Sequence, residues 1–70
     1  MPLHLADINK VYVIQRIVGN ADMVHRLQSL GIVVGSDISV ISQIEGNFVV
    51  AVKETRIGLA SEYVKRIIVS

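Results

Sequence analysis

The sequence predicts a mainly β fold, a small curled or closed antiparallel barrel of about five strands with one α-helix inserted after the first strand. Three observations carry this prediction. Short apolar segments are separated by tight-turn residues at Asn9-Lys10, Glu45-Gly46-Asn47 and Glu54-Thr55. A helical period occurs once at full length, between Asn20 and Gly31. Curling or closing such a set of strands also protects the sheet edges that would otherwise pair with other chains.

In chain order, Leu3, Leu5 and Ile8 lead into a first strand from about Val11 to Val18, broken by Gly19-Asn20. Val11, Tyr12, Val13 and Ile14 are apolar on both faces, so burial on both sides is expected over its first half. The helix follows. Met23, Val24, Leu27 and Leu30 share one stripe, while Asp22, His25, Arg26 and Ser29 fall opposite. Asn20 is placed to cap the first turn, and Asp22 sits where the helix dipole favours an anion. Gly31 ends the helix because it takes the left-handed conformation of a C-terminal cap, with Ile32 packing back on Leu27 as in a Schellman motif.

After a link through Gly35, alternation in Ile38, Val40 and Ile44 marks a strand from Asp37 to Ile44. The turn at Glu45-Gly46-Asn47 returns Phe48 to Lys53 antiparallel. Glu54-Thr55 reads as the next turn and Arg56-Ile57-Gly58-Leu59 as a short strand, with Ile57 and Leu59 on one face and Gly58 marking a bulge or bend. Ala60 to Val64 forms one helical turn, and Arg66-Ile67-Ile68-Val69 a last strand near the first.

These 70 residues suffice for one domain, 1–70, of the size that buries only about 60% of its unfolded surface. No cysteine is present, so apolar packing must hold it together without disulfides or thiolate zinc. Apolar residues make up 51% even without counting glycine, which is more than such a core needs. The surplus at the surface points to a protein partner or to self-association. A formal net charge of +1 supplies no electrostatic argument for nucleic acid, anionic lipid or acidic substrates. Phe48 to Val52 is the longest kind of apolar run, far below the roughly 20 residues of a membrane span. The first residues carry no basic segment followed by an apolar run, so a cytosolic protein without a secretory signal is expected.

The stretch Leu27-Gln28-Ser29-Leu30-Gly31-Ile32-Val33-Val34-Gly35-Ser36, followed by Ile38 and Val40, resembles the FeoA family of small accessory proteins of ferrous-iron uptake. Gly19, Gly46, the Arg56-Ile57-Gly58-Leu59 strand and the terminal Ile67-Ile68-Val69 extend the resemblance over nearly the whole chain. Val34 stands where the family usually has proline, and Leu59-Ala60 where many members carry Leu-Arg, so no role of that arginine is carried over. The resemblance implies an SH3-like barrel acting in the cytosol by contact with the FeoB-type membrane G-protein transporter, without catalysis. Its contact is expected on the helix edge and the Gly31 to Gly35 link, with Met23, Leu30, Ile32 and Val33 as candidates. Ile41, Val49 and Ala51, on outward strand faces, are candidates for self-association.

Other chemistry is thinly represented. Asp22 with His25, and His4 with Asp7, have i,i+3 spacing, but two ligands make half a metal site, and neither a metal nor another cofactor is expected. His4 and His25 are the only histidines, and no nucleophile stands in an activating motif. Gly31 and Gly35 follow a helix instead of opening one, unlike a phosphate loop. The alternative from another class is an RNA-binding module using Lys53, Arg56, Lys65 and Arg66, which needs the last strands to be neighbours and has only Tyr12, Phe48 and Tyr63 for stacking. A third reading is a free-standing relative of the SH3-like domain of iron-dependent repressors, binding an extended or proline-rich peptide.

Overall fold

A computed structural model describes residues 1–70. Its five antiparallel strands are β1 (Val11–Ile17), β2 (Asp37–Ile44), β3 (Asn47–Val52), β4 (Thr55–Ala60) and β5 (Ile67–Val69). They form one sheet in the order β4-β3-β2-β1-β5. Helix α1 (Ala21–Ser29) links β1 to β2, one-turn helix α2 (Ser61–Val64) links β4 to β5, and a short 3-10 turn occupies Leu3–Leu5. The principal dimensions, 27 × 24 × 22 Å, are nearly equal because the sheet curls around its own core.

The helix ends as its residues dictate. Asn20 Oδ1 accepts the Met23 N–H at 2.9 Å, satisfying a donor that has no partner within the first turn. At the other end Gly31 takes φ +90°, its N–H donates to the Gln28 carbonyl, and the Ile32 N–H donates to Leu27, both at 3.0 Å. This is the paired bonding of a Schellman motif, and it folds Ile32 back beneath the helix.

Burial on both sides of β1 does not occur. Tyr12 and Ile14 are buried, whereas Val11 is 63% and Val13 41% exposed, because no element covers the outer face of the sheet there. The register then shifts between Ile14 and Arg16 where β1 meets β5, leaving Gln15 as an extra residue. That bulge reverses the alternation and returns Ile17 to the core side.

A second shift, between Val40 and Ser42 opposite Val50 and Val49, makes Ile41 the extra residue of β2. Gly58, by contrast, pairs regularly with Val49, so the expected bend lies elsewhere. Glycine in a strand weakens packing without itself forcing a bulge, whereas the curling sheet demands bulges on its inner strands. The β3–β4 turn falls at Lys53-Glu54, one residue earlier than expected. Both residues have positive φ, +49° and +65°, and β-branched Thr55 pairs with Val52 instead of turning.

Fourteen side chains form the core, all apolar, and no polar residue is buried with them. Leu3, Leu27, Ile32, Val50, Val64, Ile67 and Val69 have no exposed surface, so both helices, the 3-10 turn and the strands converge on one cluster. No helix is long and apolar enough to cross a membrane.

Candidate functional site

Four residues carry the sequence-based expectation of a contact surface, and the fold separates them. Ile32 has no accessible surface and belongs to the core: the Schellman turn that positions it also withdraws it from any partner. Leu30, the C-cap residue, is 41% exposed. Val33 is half-buried in the link, and its neighbour Val34, at the position where the family usually has proline, is 63% exposed. Met23, also half-buried, lies near Gly19 at the opposite end of α1, about 10 Å along the axis from Leu30 at 1.5 Å per residue. The helix end at Leu30 and the link at Val33 and Val34 remain as one locality.

Leu30 also forms part of a groove that sequence patterning does not reveal. The last turn of α1, through Leu27 and Leu30, faces Gly58, Leu59 and Ala60 of β4, with Tyr63 of α2 closing one side and Arg26 standing on the rim. The groove is open to solvent on one side, its volume is about 210 Å³ and its walls are mostly apolar. Arg26 Nη1 donates to Tyr63 Oη at 3.1 Å, tying α1 to α2 across the opening. Two segments distant in sequence, the end of α1 and the contiguous β4 and α2, build it, and the only local hint is that Leu30 ends the apolar stripe.

Other apolar groups lie on the outer face of the sheet. Val11, Val13 and Ile44 are exposed there, and Ile44 reaches 70%. Val49 and Ala51, expected on this face, are half-buried between the inward Phe48, Val50 and Val52. Ile41 is half-buried at its bulge.

Asp22 and His25 stand exposed on the first turns of α1, in a shallow surface with Ala21, Arg26 and Ser29. No third carboxylate or imidazole joins them. Asp7 uses its backbone N–H to donate to Tyr12 Oη at 3.0 Å, and His4 lies exposed in the 3-10 turn. The four basic residues of the RNA reading do not meet through adjoining strands, since β4 and β5 occupy opposite ends of the sheet order. Arg66 in addition packs over Gly19, where its Cδ lies 3.4 Å from the place a Cβ would occupy. Tyr12 and Phe48 are buried in the core and unavailable for stacking.

Comparison with solved structures gives the fold its relatives. The chain superposes on an iron uptake regulatory protein, FeoA, with TM-score 0.90 at 20% identity, covering 99% of this chain and 93% of that one. Stenotrophomonas maltophilia FeoA complexed with zinc, described as a procaryotic SH3 domain protein, matches with TM-score 0.86 at 24% identity, covering 100% and 89%. A manganese-dependent transcriptional repressor matches with TM-score 0.90 at 24% identity over 99% of this chain, which spans only 39% of the repressor. The architecture is therefore the SH3-like one shared by these proteins. No curated protein sequence matches the chain. The family model of the FeoA domain matches residues 1–70, and with the whole length covered the chain belongs to the FeoA family, whose members are linked to ferrous-iron transport.

Proposed function

We propose that this chain is a cytosolic accessory protein of ferrous-iron uptake that acts by docking on the FeoB-type transporter, not by catalysis. The observation that carries the reading is the surface. Nine large apolar side chains are at least 41% exposed on a molecule of 4288 Å², while its core is already complete without them. Scattered exposed apolar residues are normal on any protein, but here exposed Leu30 and Val34 fall four positions apart, each followed by a glycine of positive φ, at the helix end and its link. Membership in a family linked to ferrous-iron transport supports this choice of partner.

Contacts of this kind depend on a few well-packed residues, so one charge at the centre should remove most of the affinity. Capture of the detergent-solubilised transporter by wild type, Leu30→Asp and Val33→Asp tests this. Retention by wild type with loss of about tenfold or more in the variants supports it; equal capture by all three removes this surface. Reconstitution of the transporter with and without the chain, following GTP hydrolysis and iron flux, tests whether docking has a consequence.

A further inference from the structure

The two edges of the sheet differ. β5 is covered, because Met1 and Val69 exchange backbone hydrogen bonds at 2.7 Å and Pro2 bridges to Ile68. The other terminal strand, β4, has no backbone partner on its outer side, where the last turn of α1 faces Gly58 to Ala60 across the groove. Its six residues pair without interruption to β3, and the two-residue turn at Lys53-Glu54 makes Val52 and Thr55 a hydrogen-bonded pair. Alternation then commits Thr55, Ile57 and Leu59 to β3 and turns the N–H and C=O groups of Arg56, Gly58 and Ala60 outward. The bond from Ser61 N–H to Gly46 O, 2.8 Å, two residues beyond Leu59, agrees with that parity. None of the turn, loop or cap hydrogen bonds uses the outward groups.

Natural edge strands are usually blunted by lysine, proline, a bulge or a covering segment. β4 has no lysine, proline or bulge, and its single charge, Arg56, stands near the turn and away from Gly58 and Ala60. Gly58 is exposed, and nothing lies within 4 Å of the position a Cβ would take, so another backbone can approach closely. Beside this edge is the groove under Leu30 and Tyr63, and its 210 Å³ is below the roughly 300–1,000 Å³ of small-molecule sites. It suits a side chain better than a free ligand. On the rim, Arg26 has one side-chain partner, the neutral Tyr63 hydroxyl, which orients the guanidinium while leaving most of its donors free for a carboxylate.

We propose that the β4 edge and its groove receive an extended segment of a protein partner as a sixth strand, with an apolar side chain seated in the groove and a carboxylate on Arg26. This rests on the docking reading and specifies its chemistry: main-chain pairing supplies affinity, and the groove with Arg26 supplies selectivity.

The test titrates two ten-residue peptides into the 15N-labelled chain, one alternating valine with threonine and carrying two glutamates, the other carrying two lysines in their place. For the glutamate peptide, amide shifts at Arg56, Gly58 and Ala60 should exceed those at Thr55, Ile57 and Leu59, and the lysine peptide should bind about tenfold more weakly. Arg26→Gln should bring the two peptides within about twofold. Gly58→Pro removes an outward donor and fixes φ at about −65°, both of which an edge strand tolerates, and should abolish binding while keeping the native spectrum. If that variant unfolds, Leu30→Glu, altering an already exposed side chain, should weaken binding in its place. Equal binding of both peptides, shifts centred on Val11, Val13 and Ile44, or a concentration-dependent dimer already protecting Arg56 to Ala60 would each overturn the proposal. Transporter capture that survives Gly58→Pro would overturn it and leave the docking reading standing. Peptide binding by wild type without any transporter capture would uphold the edge site and overturn that reading.

Discussion

The Ile32 N–H donates to the Leu27 carbonyl at 3.0 Å, and both side chains are completely buried. Through this pair the end of the helix is joined to the core, and the next two residues with apolar side chains emerge stepwise, Val33 half-buried and Val34 exposed. Burial and exposure therefore separate within three consecutive positions.

Ile32→Ala should destabilise the fold by about 2–5 kcal/mol, the range for truncating a fully buried aliphatic side chain. Leu30→Asp, at a 41% exposed position, should change stability by less than about 1 kcal/mol. Thermal unfolding of the two variants, beside their transporter capture, separates core from surface. A loss of stability in Leu30→Asp as large as that in Ile32→Ala would show that Leu30 belongs to the core.

Gly31→Ala tests the turn itself. A Cβ there would meet Lys53 Cδ and Val52 Cγ1 at an ordinary 4.0 Å, so space is not the obstacle. The positive φ of +90° is, and the expected cost is about 1–3 kcal/mol. Urea midpoints measure it, and a neutral result would mean the link relaxes to another conformation.

Replacing Asn20 by alanine removes the acceptor of the Met23 N–H and should cost about 1 kcal/mol. At this chain length that lowers the melting temperature by roughly 4–8 °C. Faster hydrogen exchange at the Met23 amide, with β-strand amides changed only by the global loss, would assign the effect to the cap.

The β2–β3 hairpin offers a gain instead of a loss. Glu45 and Gly46 both have positive φ, +48° and +79°, the pattern of a two-residue turn for which Asn-Gly is preferred. Glu45→Asn should stabilise the protein by on the order of 0.5 kcal/mol, read as a higher denaturant midpoint at unchanged slope.

Titration calorimetry with ferrous iron or zinc should give no stoichiometric micromolar binding at Asp22 and His25, since two exposed groups one helical turn apart lack the remaining ligands. Tight one-to-one binding lost in His25→Ala would reverse this and assign the chain a metal site.

Local chemistry was readable from the residues themselves. The Asn20 cap, the Gly31 turn, the span of β2 and the hairpin expected at Glu45-Gly46-Asn47 each depend on side chains within a few positions of one another, and all are in the structure. The hairpin turn narrows to Glu45-Gly46 because Asn47 pairs with Ile44 and opens β3. The Lys53-Glu54 turn was misplaced because neither residue announces a positive φ, and only pairing with β3 imposes it. Val11 and Val13 were expected inside because apolar composition cannot say whether a second layer exists to cover them.

By itself the sequence determined the mainly β class, the single long helix with its two ends, and a membership that the family match over residues 1–70 sustains. Tertiary structure alone decided that Val11 and Val13 are exposed, that Gln15 and Ile41 are the bulges, and that α1, β4 and α2 line a groove beside an unpaired edge. The physical reason is range: caps and turns are settled by neighbours along the chain, whereas exposure, bulges and grooves depend on which distant segments the curling sheet brings together.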